Sequence, residues 1–325
     1  MIKIALLIPE SAVAAAVTST RYVFNTVNKF LTSSGKDPRF DIQLVGCQDQ
    51  VPLQDGITFI KTDINIQQPI DVDLVIIPPL FGDMKATIEI NKQTIPWIKE
   101  QHDKGAEIAS LCVGAFLLAE TGLLNGKKCS THWAYYTEFK STYPQIEVVD
   151  GAVITEDDGI YSSGGAVSIW NLLLYLVEKY TNREMAIMTA KYFSVDIDRN
   201  SQNVFMIFKG QKTHQDEEVK RAQQYIEKNY HKKITVDELA NMVAISRRSF
   251  ERRFKQATEN TVLEYLQRVK VEAAKRSFES SRDNISEVMY EVGYLDTKAF
   301  RNIFRKYTGL TPVQYRYKYN RKHIA

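Results

Sequence analysis

Five residues near the carboxyl end of this chain recur at one fixed offset. Phe250, Phe254, Thr258, Thr261 and Tyr265 are matched fifty positions on by Phe300, Phe304, Thr308, Thr311 and Tyr315. Around them, ITVDELANMVAISRRSFERRFKQATENTVLEYL (from Ile234) and NISEVMYEVGYLDTKAFRNIFRKYTGLTPVQYR (from Asn284) share one helical pattern. Phenylalanines one turn apart put both rings on one helix face, which must then be buried. Thr235 with Glu238 predicts a capping box, and Asn284 with Glu287 repeats it. Ser246 and Asp296 are good N-caps for the helices that follow. Gly293 sits where the second copy must turn sharply. The first copy has Ala244 there, which predicts a less tight turn. The result is an all-α region of two helix-turn-helix units.

The rest of the chain alternates short apolar runs with helical stretches. The runs are Ile2–Ile8, Ile42–Gly46, Ile57–Ile60, Leu74–Ile77 and Glu107–Leu111. Helices are predicted over about 18–31, 85–104 (with Pro96 as a kink or break), 166–180 and 183–193. Residues 144–163 read as two strands around an Asp-Asp-Gly turn. Strands alternating with helices predict a doubly wound α/β domain, its parallel sheet covered on both faces. The polar stretch KGQKTHQDEE carries no periodicity, so the division reads 1–208, linker 209–215, and 216–325. At 325 residues, 44% hydrophobic and 25% charged, two ordinary globular domains fit. No apolar run is long enough to span a bilayer, and MIKIALLIPE reads as a first strand, not a leader. Three cysteines (Cys47, Cys112, Cys129) argue against a disulfide framework and for a cytoplasmic setting, although a Cys112–Cys129 bridge stays open. Scattered His and Cys show no metal-ligand spacing, and no phosphate-binding glycine loop or other cofactor motif stands out.

The net charge of +3 conceals an asymmetry: residues 216–325 carry 23 Lys and Arg against 15 Asp and Glu. A basic module behind an acidic body suits a polyanion partner for the module alone. With Phe250 and Phe254 inward, the helix after Ser246 turns Arg248, Glu251, Arg252 and Lys255 outward. The helix after Asp296 turns out Thr297, Lys298, Arg301, Asn302 and Arg305. Arg and Lys suit guanine, Asn suits adenine, and Glu accepts from cytosine. These are candidate readers of double-stranded DNA; the plainer alternative is a solvated bundle face, which two repeated copies disfavour.

GYLDTKAFRNIFRKYTGLTPVQYR (Gly293–Arg316) resembles the signature of AraC/XylS-type transcription regulators, and the resemblance spans about 216–320. It implies two helix-turn-helix units joined by a long helix, here about 262–277. It implies base reading by Arg248, Glu251 and Arg252, and by Thr297, Lys298, Arg301 and Asn302. Glu259 departs from the family's usual glycine and Val262 from a common proline, which puts the end geometry of the first unit in question.

In ASLCVGAFLLAETGLLNGKKCSTHW (Ala109–Trp133) a strand runs into Cys112, Val113 and Gly114 and a helix begins at once. That turn projects a side chain over the carboxyl end of the sheet and aims helix N–H groups nearby. With SSGGAVSIWNLLLYLVE (Ser162–Glu178), the region resembles the PfpI-like, class I glutamine amidotransferase-like superfamily over about 1–208, which implies a flavodoxin-like domain and a homodimer through it. The resemblance makes Cys112 the elbow residue, places His132 near it, and offers Glu10 as the acidic partner. Val113 stands where protease-like members carry histidine, so three readings of Cys112 stay open: an inert pocket residue, a modifiable sensor, and a nucleophile. The preferred reading is a catalytically inactive effector pocket formed by Glu10, Pro79, Leu80, Phe81, Gly82, Cys112, Val113, Gly114, His132 and Trp133. Helix N–H groups there would favour an anionic group and Trp133 an amine, as in an amino-acid-like or amine effector. The whole then reads as an effector-controlled transcription regulator, an activator working with RNA polymerase. A Cys-dependent amidase or hydratase carrying a DNA module is the alternative.

Overall fold

The computed structural model describes every residue except 54, 55, 57, 198–200, 213 and 321–325. The chain divides into two compact units, Met1–Gln202 and Asn203–Ala325.

In the first unit the strands are β1 (Ile2–Leu7), β2 (Phe40–Gly46), β3 (Gln50–Leu53), β4 (Thr58–Lys61), β5 (Ile64–Asn65), β6 (Leu74–Ile77), β7 (Glu107–Ser110), β8 (Lys128–Cys129), β9 (Glu147–Val148), β10 (Ile154–Asp157) and β11 (Ile160–Ser163). Its helices are α1 (Ala14–Ser33), α2 (Met84–Asn91), α3 (Thr94–Asp103), α4 (Ala115–Glu120), α5 (Tyr136–Thr142), α6 (Ser168–Tyr180) and α7 (Arg183–Phe193). Seven strands form the main sheet in the order β10-β11-β7-β6-β1-β2-β5. All its pairings are parallel except β10 with β11. β6 (LVII) and Ile4–Leu7 of β1 are buried apolar runs because helices cover both faces: α1, α6 and α7 pack together, as do α2, α3 and α4. The antiparallel hairpin turns at Asp158 and Gly159, both with positive φ (51° and 74°), as a two-residue hairpin requires.

Two expectations shift here. The long helix over 85–104 is two helices, parted at Lys92 and Gln93, ahead of Pro96. Pro96 falls in the first turn of α3, where its missing N–H breaks no helical bond. Of the run Ile57–Ile60, Ile57 lies outside the described residues and the remainder enters β4.

The second unit contains α8 (Glu217–Asn229), α9 (Val236–Met242), α10 (Arg247–Thr258), α11 (Val262–Ser280), α12 (Ile285–Glu291), α13 (Thr297–Thr308) and α14 (Pro312–Tyr319). It has two cores. Ile226, Leu239, Phe250, Phe254 and Tyr265 close the first, and Phe278, Val288, Phe300, Phe304 and Tyr315 the second. The fifty-residue repeat holds atom by atom. The ring of Tyr265 meets Phe254 edge-on at 5.4 Å, and Tyr315 meets Phe304 at 5.4 Å. The Thr258 hydroxyl donates to the Phe254 carbonyl at 2.7 Å, and Thr308 donates to Phe304 at 2.8 Å. Thr261 with Glu264, and Thr311 with Gln314, form complete capping boxes. So do Asn284 and Glu287. At Thr235 only half the box forms, since the Glu238 carboxylate accepts from the Tyr225 hydroxyl at 2.7 Å.

The sequence departures leave the geometry intact. Ala244 takes φ 56° beside 77° at Gly293, so the first turn is as tight as the second. Glu259 takes φ 56° beside 75° at Gly309, and both N–H groups close the preceding helix on the carbonyl four residues back. Packing of the repeated knobs outweighs the backbone preference. The division between units falls at Gln202, ahead of the 208 boundary and the 209–215 linker drawn from polarity. Val204 packs against the second core, Phe208 lies edge-on to Tyr265 at 5.1 Å, and Lys212 pairs with Glu227 at 2.6 Å. Thr213, within that linker, lies outside the described residues.

Candidate functional site

Two surfaces carry chemistry, one in each unit. In the second unit, α10 and α13 each follow a left-handed turn and a side-chain cap: Ser246 accepts from the Ser249 N–H at 3.3 Å, and Asp296 from the Ala299 N–H at 2.6 Å. Burying Phe250 and Phe254 leaves Arg248, Glu251, Arg252 and Lys255 exposed along α10. Burying Phe300 and Phe304 leaves Thr297, Lys298, Arg301, Asn302 and Arg305 exposed along α13. Glu251 lies 3.6 Å from Arg247, whose guanidinium also pairs with Asp237 at 2.9 Å. Arg253, between the outward residues, has another task. Its guanidinium grips Asp216 through two bonds of 2.7 Å and Glu218 at 2.6 Å, fastening α10 to the start of α8. The exposed cations of both helices are thus free of that fastening and face solvent.

In the first unit, Leu111 leads from β7 into Cys112, which adopts φ 56°. Gly114 lets the turn press on the sheet: a Cβ there would lie 2.6 Å from the Pro78 carbonyl oxygen. Cys112 is buried, its N–H donates to the Ser163 hydroxyl at 3.2 Å, and its carbonyl accepts from Thr131 at 3.1 Å. Burial pushes its thiol up to about 12, opposed by the Val113 N–H. The N–H groups of this turn are internally engaged: Gly114 on the Leu111 carbonyl, Ala115 on Val113. An anion would find them already bonded. The three cysteines are free thiols.

His132 lies half-buried, and desolvation lowers its pKa. Its Nδ1 accepts from the Ala134 N–H at 3.1 Å, capping a short helical turn. The neutral ring therefore carries its proton on Nε2. Trp133 stands beside it, ring centroids 5.4 Å apart. The Glu10 carboxylate accepts from Gln48 at 3.1 Å, beside Cys47, whose thiol rises to about 11 through burial first and the Glu10 charge second. Glu10 and Cys47 share an open hollow with Gln48, Asn91 and Gln93. The partners of Cys112 are Ser163, Thr131 and Val113, and the thiol that the Glu10 charge raises is that of Cys47. Leu80 is buried, Phe81 is exposed, and Gly82 takes φ 101°. Among the described residues no group of His, Cys, Asp and Glu is arranged to hold a metal ion.

Sequence reasoning missed the polar nest beside His132. It is built from Thr131, Tyr136, Ala152, Gly165 and Gln202, which is fully buried. The paired glycines of SSGG were a signal, since Gly164 and Gly165 make room for a neighbour; Gln202, in a polar stretch without periodicity, carried none.

A model of the DJ-1/PfpI family matches residues 3–179, more than half of the chain, and a helix-turn-helix domain model matches residues 239–318. The HTH-type transcriptional regulator GbdR of Pseudomonas aeruginosa is 24% identical over 264 residues, covering 81% of this chain and 71% of that protein. The HTH-type transcriptional regulator ArgR of the same organism is 24% identical over 216 residues, covering 66% and 65%. A crystal structure of a mutant DJ-1 superfamily protein from Salmonella typhimurium superposes with a TM-score of 0.50 at 18% identity, over 60% of this chain and 100% of that one, and so shares the fold of the first unit. Together with the duplicated frames of the second unit, these matches identify the chain as a member of the DJ-1/PfpI family, built as an AraC-type DNA-binding transcription regulator.

Proposed function

We propose that the two exposed helix faces, α10 and α13, read two successive major grooves on one side of a duplex, and that a small-molecule effector in the first unit controls this binding. The observation that carries the reading is the pairing of identical buried frames with two different outward faces. Frames held alike by Phe, Thr and Tyr serve folding, and the differing faces serve sequence discrimination. Arg248, Glu251 and Arg252 on α10 and Thr297, Lys298, Arg301 and Asn302 on α13 are the base readers; Lys255 and Arg305, further along, are phosphate contacts. Reading helices on a shared α11 should span about one DNA turn, roughly 34 Å. The protein acts in the cytoplasm as a homodimer through the first unit, and as an activator in contact with RNA polymerase. Similarity to the transcriptional regulators GbdR and ArgR supports regulation, and no helix among the described residues is long and apolar enough to cross a membrane.

Arg301→Ala is expected to cost about 1–3 kcal/mol of operator affinity and to relax preference at one base pair. Selection from a randomised operator library, read by sequencing, checks both. Equal loss on all sequences makes Arg301 a phosphate contact, and a footprint confined to one major groove per protomer overturns the two-groove reading.

The elbow favours a second reading, because a positive-φ cysteine at a strand-to-helix turn is how nucleophiles are presented. Its surroundings oppose catalysis. The thiol is held protonated by burial, and His132 uses its basic nitrogen as a cap. Cys112 is an inert floor of the effector unit. Any turnover that disappears in Cys112→Ser reverses this.

A further inference from the structure

The last residue of the first unit behaves as a ligand of that unit. Ser201 bridges to Ala152, and the Gln202 N–H donates to the Gly151 carbonyl at 2.7 Å. The Gln202 carboxamide then enters the nest beside His132. Its Nε2 donates towards the Ala152 carbonyl at 2.7 Å, the Tyr136 hydroxyl at 3.0 Å and the Thr131 carbonyl at 3.2 Å. Its Oε1 accepts from the Gly165 N–H at 2.6 Å. A Cβ on Gly164 would lie 1.9 Å from Nε2, so the cradle exists only because glycine stands there.

The acceptor count does not match the occupant. An amide nitrogen has two hydrogens, and three oxygens converge on it. A primary ammonium has three. Neither backbone carbonyl can turn into a donor, and the Tyr136 oxygen already accepts from the Gly151 N–H at 2.9 Å. The nest is therefore built of acceptors at one end and a single N–H donor at the other. It suits a group with N–H bonds beside an oxygen acceptor. A bare anion would face carbonyl oxygens, and a quaternary ammonium has no hydrogen to give.

The residues after Gln202 belong to the second unit. Phe205 lies under the Lys318 ammonium, the Met206 carbonyl accepts from Lys275 at 2.5 Å, and the Phe208 N–H donates to Glu272 at 3.2 Å. Both Lys275 and Glu272 are buried on α11, the helix that carries both reading units. One short stretch of chain is thus anchored at one end in the nest and at the other on α11.

We propose that Gln202 is the resident occupant of a ligand site formed by Thr131, Tyr136, Ala152 and Gly165, and that a small primary amide or primary ammonium compound with a neighbouring oxygen acceptor is its competitor. Exchange releases the chain immediately ahead of Asn203, where the segment anchored on α11 begins. The proposal rests on the reading of the first unit as an effector unit. A tethered occupant competes at high effective concentration, so a free ligand binds the wild type with reduced apparent affinity.

Propionamide, the side chain of Gln202 as a free molecule, is the probe. In full-length Gln202→Ala it is expected to bind at least about tenfold more tightly than in wild type by calorimetry, with tetramethylammonium not competing. Gln202→Ser, which keeps a hydroxyl for one acceptor, is expected to behave alike and serves if the alanine variant folds poorly. In the wild type, saturating propionamide should accelerate hydrogen exchange across 201–208. Equal affinity in variant and wild type, competition by tetramethylammonium, or unchanged exchange overturns the site. Operator binding, measured on the same proteins, separates the two readings. Propionamide-blind variants that still recognise the operator sink this site and leave the regulator standing. Tight propionamide binding in a protein indifferent to its operator upholds the site and sinks the regulator.

Discussion

Glu259 and Gly309 stand at equivalent corners and share a left-handed backbone, yet only one is a residue that adopts it cheaply. The corner is imposed by its surroundings: Thr258 and Thr308 bond to the carbonyls of Asn260 and Leu310, and the capped helices begin directly after. Glu259→Gly is therefore expected to stabilise the second unit by up to about 1 kcal/mol, the relief of a left-handed non-glycine residue less the entropy glycine adds to the unfolded chain. Gly293→Ala should act the other way and harder. Its φ is 77°, and a Cβ would lie 2.3 Å from the His231 carbonyl oxygen, so a loss of about 2 kcal/mol or more is expected. Urea denaturation of the full chain, followed by helical circular dichroism, reads both. Sequence alone marks Gly293 as a turn. It does not mark Ala244 or Glu259, because their residue types do not favour the left-handed φ that the repeated frame holds them in.

At the scale of the element, α11 decides how two small bundles become one unit. It closes the first bundle through Tyr265, whose hydroxyl donates to Glu227 of α8 at 2.7 Å. It opens the second through Glu279, which accepts from Tyr315 of α14 at 2.5 Å. In each case burial first and the carboxylate second push the phenol up, so it stays a donor. One helix plays last in one copy and first in the next. Between these roles sit Lys275 and Glu272, paired at 2.9 Å with side chains 6% and 10% exposed, a burial that only a closed pair tolerates. Lys275→Ala leaves a buried carboxylate without its cation and is expected to cost about 3–5 kcal/mol, whereas Lys275→Met with Glu272→Leu should recover a good part of it. Denaturation of the single and double variants checks the coupling. The helix was legible through the family resemblance, which implies it over about 262–277; it runs Val262–Ser280. The ion pair was not: charged residues three apart on a helix read as a solvated face until the segment ending in Phe208 is known to cover them.

For the whole molecule, charge and topology part company. The basic excess of residues 216–325 predicts a strongly salt-dependent DNA affinity, and the exposed cations of α10 and α13 are its source. Removing one phosphate contact, as in Lys255→Ala, should lower the slope of log affinity against log salt by about 0.9 and weaken all sequences alike. Titrations at several ionic strengths on specific and random duplexes test this; a loss confined to the specific duplex reassigns Lys255 to base reading. By itself the sequence determined the two fold classes, the doubly wound sheet and the repeated helical frames. It also determined which residues of α10 and α13 face outward, because these follow from local periodicity, and periodicity is written along the chain. Only the tertiary structure decided that the Glu10 charge bears on Cys47, that His132 is a cap, and that Gln202 fills a nest of carbonyl oxygens. The first and last are meetings of single residues separated by tens of positions, and all three lie in loops whose paths depend on the packed core and leave no period to read.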